Sequence, residues 1–377
     1  MRQPESTPDT ERFGEVTPLP QARSGHSLLH ESLVWDNHGC MPVQRPHDTS
    51  FLPQLNRYRA AGVDAIMLNA GFGDMGIEDH VRTLASLRHW IKARPSEYVL
   101  IESVDDIELA RSTGRLAVGF DIEGGNAIAD QISLIQLYYD LGVRWMLLAY
   151  NSNNRLGGGC QDDDTGLTDF GREVIAEMEH VGMLLCCSHT GHRTAREVLA
   201  VATNPVIFSH SNPSALHAHP RNIPDDLIHA CAATGGLIGI NGIGTFLGES
   251  KNQIETFSRH LDYVVQLVGP QHVGLGLDYV FDTQELDGYL TKMGHAFPTE
   301  LGYKKGVRMV APESLEEIVQ TLMNWGYQDA DIQAVLGGNL MRVASKVWKP
   351  TQMDSKGPLN QAGVSPSIAV VRKEGGH

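Results

Sequence analysis

Between residues 33 and 278 the chain alternates between two textures. Eight short runs are almost continuously apolar, at residues 33–38, 63–69, 116–123, 143–150, 183–189, 205–210, 236–241 and 273–278. Apolar runs of that length, without polar alternation, are the pattern of parallel strands covered on both faces. Between them apolar residues recur at helical spacing. Residues 170–180 carry Val174, Ile175 and Met178, continued by Val181, with acidic residues opposite, and 193–203 repeats the pattern. Pro224-Asp225-Asp226 opens another helix, with proline at a first-turn position and acids favourable to the helix dipole. Ser314-Leu315-Glu316-Glu317 has capping-box spacing ahead of Ile318, Val319 and Leu322. Strands alternating with helices in this way predict an α/β chain, specifically a (β/α)8 TIM-type barrel. The rival is a doubly wound open sheet, but no Gly-rich dinucleotide fingerprint follows the first strand.

The ends of the chain read differently. Residues 1–28 are polar and Pro-rich and are expected to form an irregular arm; 29–349 hold the barrel; 350–377 form a tail of Gly, Pro, Ser and charge. One apolar run in the tail, SIAVV at 367–371, is suited to docking as a strand.

Composition narrows the partners. The chain has 377 residues, 41% hydrophobic and 20% charged, which suits a large buried core. A formal net charge of −15 argues against nucleic acid and anionic membrane surfaces as partners. No apolar run is long enough to span a bilayer, and the first residues lack the layout of a signal peptide. Five cysteines, an odd number with Cys186 and Cys187 adjacent, are poor material for a disulfide framework, so a cytoplasmic setting with reduced thiols is expected.

In a barrel, chemistry collects at the C-terminal ends of the strands. Here those ends carry Asp36-Asn37-His38-Gly39-Cys40, Asp121-Ile122-Glu123-Gly124-Gly125, Tyr150-Asn151, Cys187-Ser188-His189, Phe208-Ser209-His210 and Leu277-Asp278, while two others close on Asn69 and Asn241. Singly, each has a bland reading as a hydrogen-bonded or turn residue. Together, His38, His189, His210, Glu123 and Asp278 aim imidazoles and carboxylates at one mouth, and buried unpaired charges are costly. A shared divalent cation is the economical explanation. His38 and Cys40 leave three readings open: ligands of a common ion, a reactive thiol beside its base, or unrelated turn residues.

With these residues in view, the chain resembles the renal (membrane) dipeptidase family, the binuclear zinc dipeptidases of the amidohydrolase-like superfamily. The resemblance runs from about residue 33 to residue 347 and rests on E-G-G at Glu123, SHTG at Ser188, FSHSNPSALHAHPRNIPDD from Phe208, VGLGLDY from Val273 and LGGNLMRV from Leu336. It implies one or two Zn2+ ions per chain, two being usual for the family. It also implies a hydrolase that cleaves a dipeptide or dipeptide-like amide by a metal-bound hydroxide. Carried over by position, Glu123 bridges the ions, His189 and His210 complete one site, and His38 belongs to the other. Asp278 is then the acid/base carboxylate, and Arg221 holds the substrate's carboxylate. Barrels of this kind often pair, so a homodimer is among the expectations. Three positions depart from the family pattern: Cys40 and Cys186 stand where aspartates are usual, and Asn151 replaces a histidine that contacts the substrate carbonyl. Cys40 is then either a thiolate metal ligand or a small filler beside a lost second ion. The departures keep open a small-molecule-binding protein, or a mononuclear hydrolase of altered specificity. His217 and His219, the acidic run Asp162-Asp163-Asp164, and a lid at Gly157-Gly158-Gly159 have both surface and functional readings.

Overall fold

The strands of the barrel are short, and their pattern of burial decides what reaches its interior. In the computed structural model, which describes residues 23–40, 48–248, 250–294 and 296–350, they are β1 (Trp35–Cys40), β2 (Ala65–Phe72), β3 (Tyr98–Leu100), β4 (Leu116–Glu123), β5 (Val143–Leu147), β6 (Leu184–Cys186), β7 (Val206–Phe208), β8 (Leu237–Asn241), β9 (Val273–Gly276) and β10 (Tyr279–Val280). All pair in parallel, and eight close a barrel in the order β1-β2-β4-β5-β6-β7-β8-β9, completed by Asp36 of β1 opposite Leu275 of β9. The predicted fold class is therefore the observed one. The short β3 pairs with β4 beside the start of β5, and β10 resumes the line of β9 after a break at Leu277-Asp278; neither was expected from the sequence. The strands at 184–186 and 206–208 stop two or three residues before His189 and His210, so both histidines sit on turns.

Alternation along each strand sorts the side chains. On β4, Val118, Phe120 and Ile122 join the large cluster that packs under the helices, while Ala117 joins the interior cluster with Trp35, Met67, Trp145 and Ile207. Asp121 and Glu123 share the parity of Ala117 and therefore face inward. The same count sends Asn69, Cys186, Ser209 and Asn241 inside. On β1 the register with β2 shifts between Asp36 and Gly39, and that irregularity turns His38 inward. At Gly276 a Cβ would sit 2.0 Å from the Ser209 carbonyl oxygen, so only glycine lets the Ser209-His210 turn lean into the barrel.

Helices cover the outside at the predicted places: Asp169–Val181, His192–Val201 and Asp225–Ala233 capped by Pro224. Helix Leu315–Asn324 is entered through a 3-10 turn, Pro312–Ser314, and Ser314 makes no side-chain cap, so the capping-box expectation is not realised there. The boundary of the N-terminal arm also differs. Helix Gly25–Glu31 begins inside the stretch read as irregular, burying Leu28 and Leu29, and the Gly25 N–H donates to Gln320 at 2.9 Å. The remainder of the arm, 1–22, and the tail with its SIAVV run, 351–377, lie outside the described residues.

The LGGN stretch seals the end of the barrel opposite the strand-end residues. Asn339 donates to the carbonyls of Pro270 and Val273 at 2.7 and 2.8 Å, and a Cβ on Gly337 would lie 2.6 Å from the Leu33 oxygen. Leu340, Val343 and Val347 of helix Asn339–Val347 then fill the bottom. On β5, Arg144 is fully buried; it donates to the carbonyls of Tyr139, Val143 and Glu102 at 2.7, 3.0 and 2.6 Å, with its guanidinium 4.3 Å from the centre of the Tyr139 ring. Arg144→Ala would orphan those carbonyls and leave a void, so chemical denaturation is expected to show a loss of about 3 kcal/mol. Arg144→Lys, lacking the planar fork, is expected to recover little of it.

Candidate metal centre

Three donor atoms meet at the mouth of the barrel. His189 Nε2 and His210 Nε2 are 3.0 Å apart, and Glu123 Oε1 lies 3.4 Å from the first and 3.2 Å from the second. The other ring nitrogens fix the tautomers: His189 Nδ1 pairs with Asn151 Oδ1 at 2.7 Å, and His210 Nδ1 with Ser209 Oγ at 2.7 Å. With the Nδ1 protons given to those oxygens, both Nε2 atoms present lone pairs to each other and to the carboxylate. Burial, reinforced by Arg221 and by His38, holds both imidazoles well below their ordinary pKa, so they are neutral. Two Nε2 lone pairs turned to each other at 3.0 Å repel, and a cation or a shared proton between them relieves that repulsion. An ion bound tetrahedrally at about 2.0–2.1 Å places its donors about 3.3–3.4 Å apart, so this triangle fits a metal. Glu123 Oε1 has no hydrogen-bond partner among the described residues, as a ligand oxygen would not.

The opposite oxygen of Glu123 faces a second group. His38 Nε2 lies 3.7 Å from Glu123 Oε2, 3.5 Å from Asp278 Oδ1 and 3.7 Å from Cys40 Sγ. Its Nδ1–H is donated to Asp121 Oδ2 at 3.2 Å, and Asp121 Oδ1 takes a bond from Asn69, which also reaches Glu123 Oε2 at 3.1 Å. A carboxylate behind a histidine in this way orients the ring as a ligand. His38 and His210 stack at 4.2 Å and 11°, so the two groups share one wall. His38, Glu123 and His210 form one set of mutually close donors, and His38, Cys40 and Asp278 another. Burial lowers the His38 pKa, but Asp121, Glu123 and Cys40 together carry it well above 6.5. Burial pushes Glu123 up to about 8, Asp121 and Asp278 adding to it against His38 and Arg221. The Cys40 thiol is driven well above 9, first by burial. Cys40 Sγ is 2.7 Å from Asp278 Oδ1, and Asp278 Oδ2 is held by Asn241 at 2.8 Å.

Backbone strain concentrates here. Asn151, His189 and Asp278 have φ of 58°, 62° and 56°, and the one other described non-glycine residue with positive φ is Ala129. L-residues rarely adopt that conformation, and it turns each of these side chains off its strand toward the mouth.

Arg221 closes one side. It is 2% exposed, its Nη2 donates to the His210 carbonyl at 3.3 Å, and its Nε and Nη1 have no partner among the described residues. His219 positions it: Nδ1 accepts from the Arg221 N–H at 3.0 Å while Nε2–H donates to the Leu301 carbonyl at 2.8 Å. Burial draws the His219 pKa down to about 4, so the ring is neutral with both nitrogens used. Asn151 does two jobs: Oδ1 orients His189, and Nδ2 is a buried donor without a partner.

The structure thus brings together His38, Cys40, Glu123, His189, His210, Asp278, Arg221 and Asn151, all singled out in the sequence. Cys186 stays apart from the donors; it is buried against the backbone of Ser188 and Ser209 and its thiol donates to Ser209 Oγ at 3.0 Å. The acidic run is structural: Asp164 accepts from the N–H groups of Arg193 and Thr194 at 2.7 and 3.0 Å at the start of helix His192–Val201. Gly157, Gly158 and Gly159 are buried and hydrogen-bonded, to Thr194 and Asn153 among others, so this loop is a fixed backing for Asn151 and His189. Sequence reasoning missed Asp121, Ser209 and Asn69 as supports of the donors. Strand parity from Ala117 and Ile207 was the signal that pointed to the first two.

A model of the membrane dipeptidase family (peptidase family M19) matches residues 48–289. An uncharacterized dipeptidase of Schizosaccharomyces pombe is 30% identical over 212 residues, 54% of this chain and 51% of that protein. Dipeptidase aclJ of Aspergillus oryzae is 29% identical over 279 residues, 72% of this chain and 61% of that one. The chain thus spans about half to three fifths of the length of these relatives. Among solved structures, an amidohydrolase from Pseudomonas aeruginosa matches with a TM-score of 0.73 at 26% identity, over 86% of this chain and 99% of its own. A metallopeptidase from Rhodobacter sphaeroides, liganded with a phosphinate mimic of the dipeptide L-Ala-D-Ala, shares the fold with a TM-score of 0.70 at 18% identity, over 84% and 100% of the two chains. The family match holds Glu123, His189, His210, Arg221 and Asp278 and begins ten residues beyond His38. With most of its length inside that match, the chain belongs to the membrane dipeptidase family, peptidase family M19.

Proposed function

We propose that this chain hydrolyses a dipeptide or a dipeptide-like amide in a metal-dependent reaction, with zinc as the metal. The observation that carries the reading is Glu123, one oxygen facing the neutral His189 and His210 pair and the other facing His38. Family membership and the dipeptide mimic held by a protein of the same fold support the substrate class. Zinc bound between these donors would polarise the scissile carbonyl and bring the pKa of a water molecule to about 7.

The chain's own residues divide the remaining work. Asp278, anchored through Oδ2 by Asn241, takes the proton of the attacking water on Oδ1 and returns it to the leaving nitrogen as the C–N bond breaks. Arg221 offers Nε and Nη1 as a fork for the substrate's carboxylate, and a buried, otherwise unpaired guanidinium gains most from such a partner. Asn151 Nδ2 is a preorganised donor for the carbonyl oxygen as its charge grows. Cys40 would serve as a thiolate ligand to an ion on the His38 side, supplying the charge of the usual aspartate. A second reading, one ion held by His189, His210 and Glu123, is favoured by the 2.7 Å contact of Cys40 with Asp278, the posture of a neutral thiol. All five cysteines are free, which supports a reducing compartment such as the cytoplasm.

Metal content separates the readings. Protein purified without chelators is expected to carry two zinc ions per chain, falling to one in Cys40→Ala. The cobalt-substituted protein is expected to show sulfur-to-metal charge-transfer absorption that Cys40→Ser abolishes. One ion and no such band would establish the mononuclear reading, and no uptake at all would remove the hydrolase. Asp278→Asn is expected to lower kcat by about 10²–10⁴ with the metal on the His189 side retained; full activity in that variant would overturn the acid/base role. Metal uptake must displace the proton that Glu123 keeps up to about pH 8. For the ion on the His189 side, affinity measured by competition is therefore expected to rise from pH 6 to pH 8, with protons released, while the second ion, which also displaces the protons of His38 and the Cys40 thiol, continues to tighten above that. His189 and His210, already neutral, add nothing to this slope; a flat profile at this site would overturn the linkage of metal uptake to the Glu123 proton.

A further inference from the structure

Six aromatic rings form an unbroken chain around the mouth. Tyr150 lies on the His189 imidazole, with 4.1 Å between centres and 21° between planes. Phe72 follows at 5.4 Å, Tyr289 at 6.0 Å, Phe297 at 5.6 Å, Tyr303 at 5.2 Å and Phe246 at 6.0 Å, each measured from the ring before it. The Arg221 guanidinium, 5.1 Å from the centre of Phe246, ends the series. The crescent thus begins at a donor of the metal centre and finishes beside the guanidinium proposed to hold the substrate's carboxylate.

Two observations separate this wall from the core. Phe246, Phe297 and Tyr303 form a small buried cluster of their own, distinct from the two clusters that hold the barrel together. The cavity they line continues down to Glu123, His189 and Asp278, and its upper part adds Ile243, Leu290 and Val307. No lysine or arginine lines it among the described residues, and its acids are Glu123 and Asp278 at the floor. The Tyr303 hydroxyl accepts a bond from Gln161 at 2.7 Å, which leaves its ring face to the cavity wall.

From this arrangement we infer that the crescent is a side-chain subsite, and that the preferred substrates are dipeptides with a bulky aliphatic or aromatic side chain. The inference rests on the hydrolase reading of the same centre and adds the substrate class. An apolar side chain is removed from water against the rings, whereas a charged one loses hydration without a counter-charge.

The test compares kcat/KM for Leu-Leu and Phe-Leu with Glu-Glu and Lys-Lys, using the zinc-loaded full chain. The apolar substrates are expected to be favoured by at least about tenfold. Leu290 belongs to the wall and is only partly buried, so Leu290→Lys is expected to fold; it should depress Leu-Leu turnover and raise that of Glu-Glu, narrowing or reversing the ratio. Equal rates for the four dipeptides, or an unchanged ratio in Leu290→Lys, would overturn the subsite. If no dipeptide is cleaved, the hydrolase reading fails by itself and calorimetry decides the subsite. Leu-Leu bound at least about tenfold more tightly than Glu-Glu upholds it, and equal affinities overturn it.

Discussion

A carboxylate buried between neutral imidazoles can keep its charge only beside a cation, and the mouth of this barrel is arranged around that requirement. Glu123 stands on β4 with Asp121 two residues below it, and both project inward beside the apolar interior cluster. Burial, with Asp121 and Asp278 adding to it, raises the Glu123 pKa to about 8. His38 supplies part of the compensation, and Asn69 bridges the two carboxylates with single hydrogen bonds to each. The remaining charge is what the proposed metal would satisfy.

Around the donors lies a layer whose function is aim. Asp121 behind His38, Asn151 behind His189 and Ser209 behind His210 each occupy one ring nitrogen and leave the other turned to the centre. Hydrogen bonds of this kind hold a ligand's tautomer and angle at once. The backbone contributes as well. Asn151, His189 and Asp278 sit in left-handed conformations that the closed barrel enforces through its surrounding hydrogen bonds, including Asp278 N–H to the His38 carbonyl at 3.0 Å. The fixed loop at 157–164, pinned by Asp164 to a helix start, keeps that side of the centre rigid.

The proposed side-chain subsite is built on different material. The donors belong to strand ends common to the barrel, whereas Tyr289, Phe297 and Tyr303 come from the segment after β10. His219 ties this segment to the backbone of Arg221 through the Leu301 carbonyl. Such a division would let the proposed chemistry stay constant while the proposed subsite sets which side chain is admitted.

By itself the sequence determined the barrel, because continuous apolar runs between helical periods admit few other folds, and it singled out the candidate donors, because several His, Glu and Asp residues ending strands at one mouth point together to a shared cation. The departures at Cys40, Cys186 and Asn151 were equally visible, but their consequences were not. Cys186 and Cys40 are the same residue type in similar positions; only the tertiary structure puts one among backbone amides and the other 2.7 Å from Asp278. Asp121 was visible at a strand end, yet its bond to His38 spans 83 residues and depends on a register shift in β1. The aromatic crescent joins residues from 72 to 303 that no local pattern connects. Local periodicity records which face of an element is buried; which elements then meet, and at what distance, depends on closure of the barrel, and closure is a property of the whole chain.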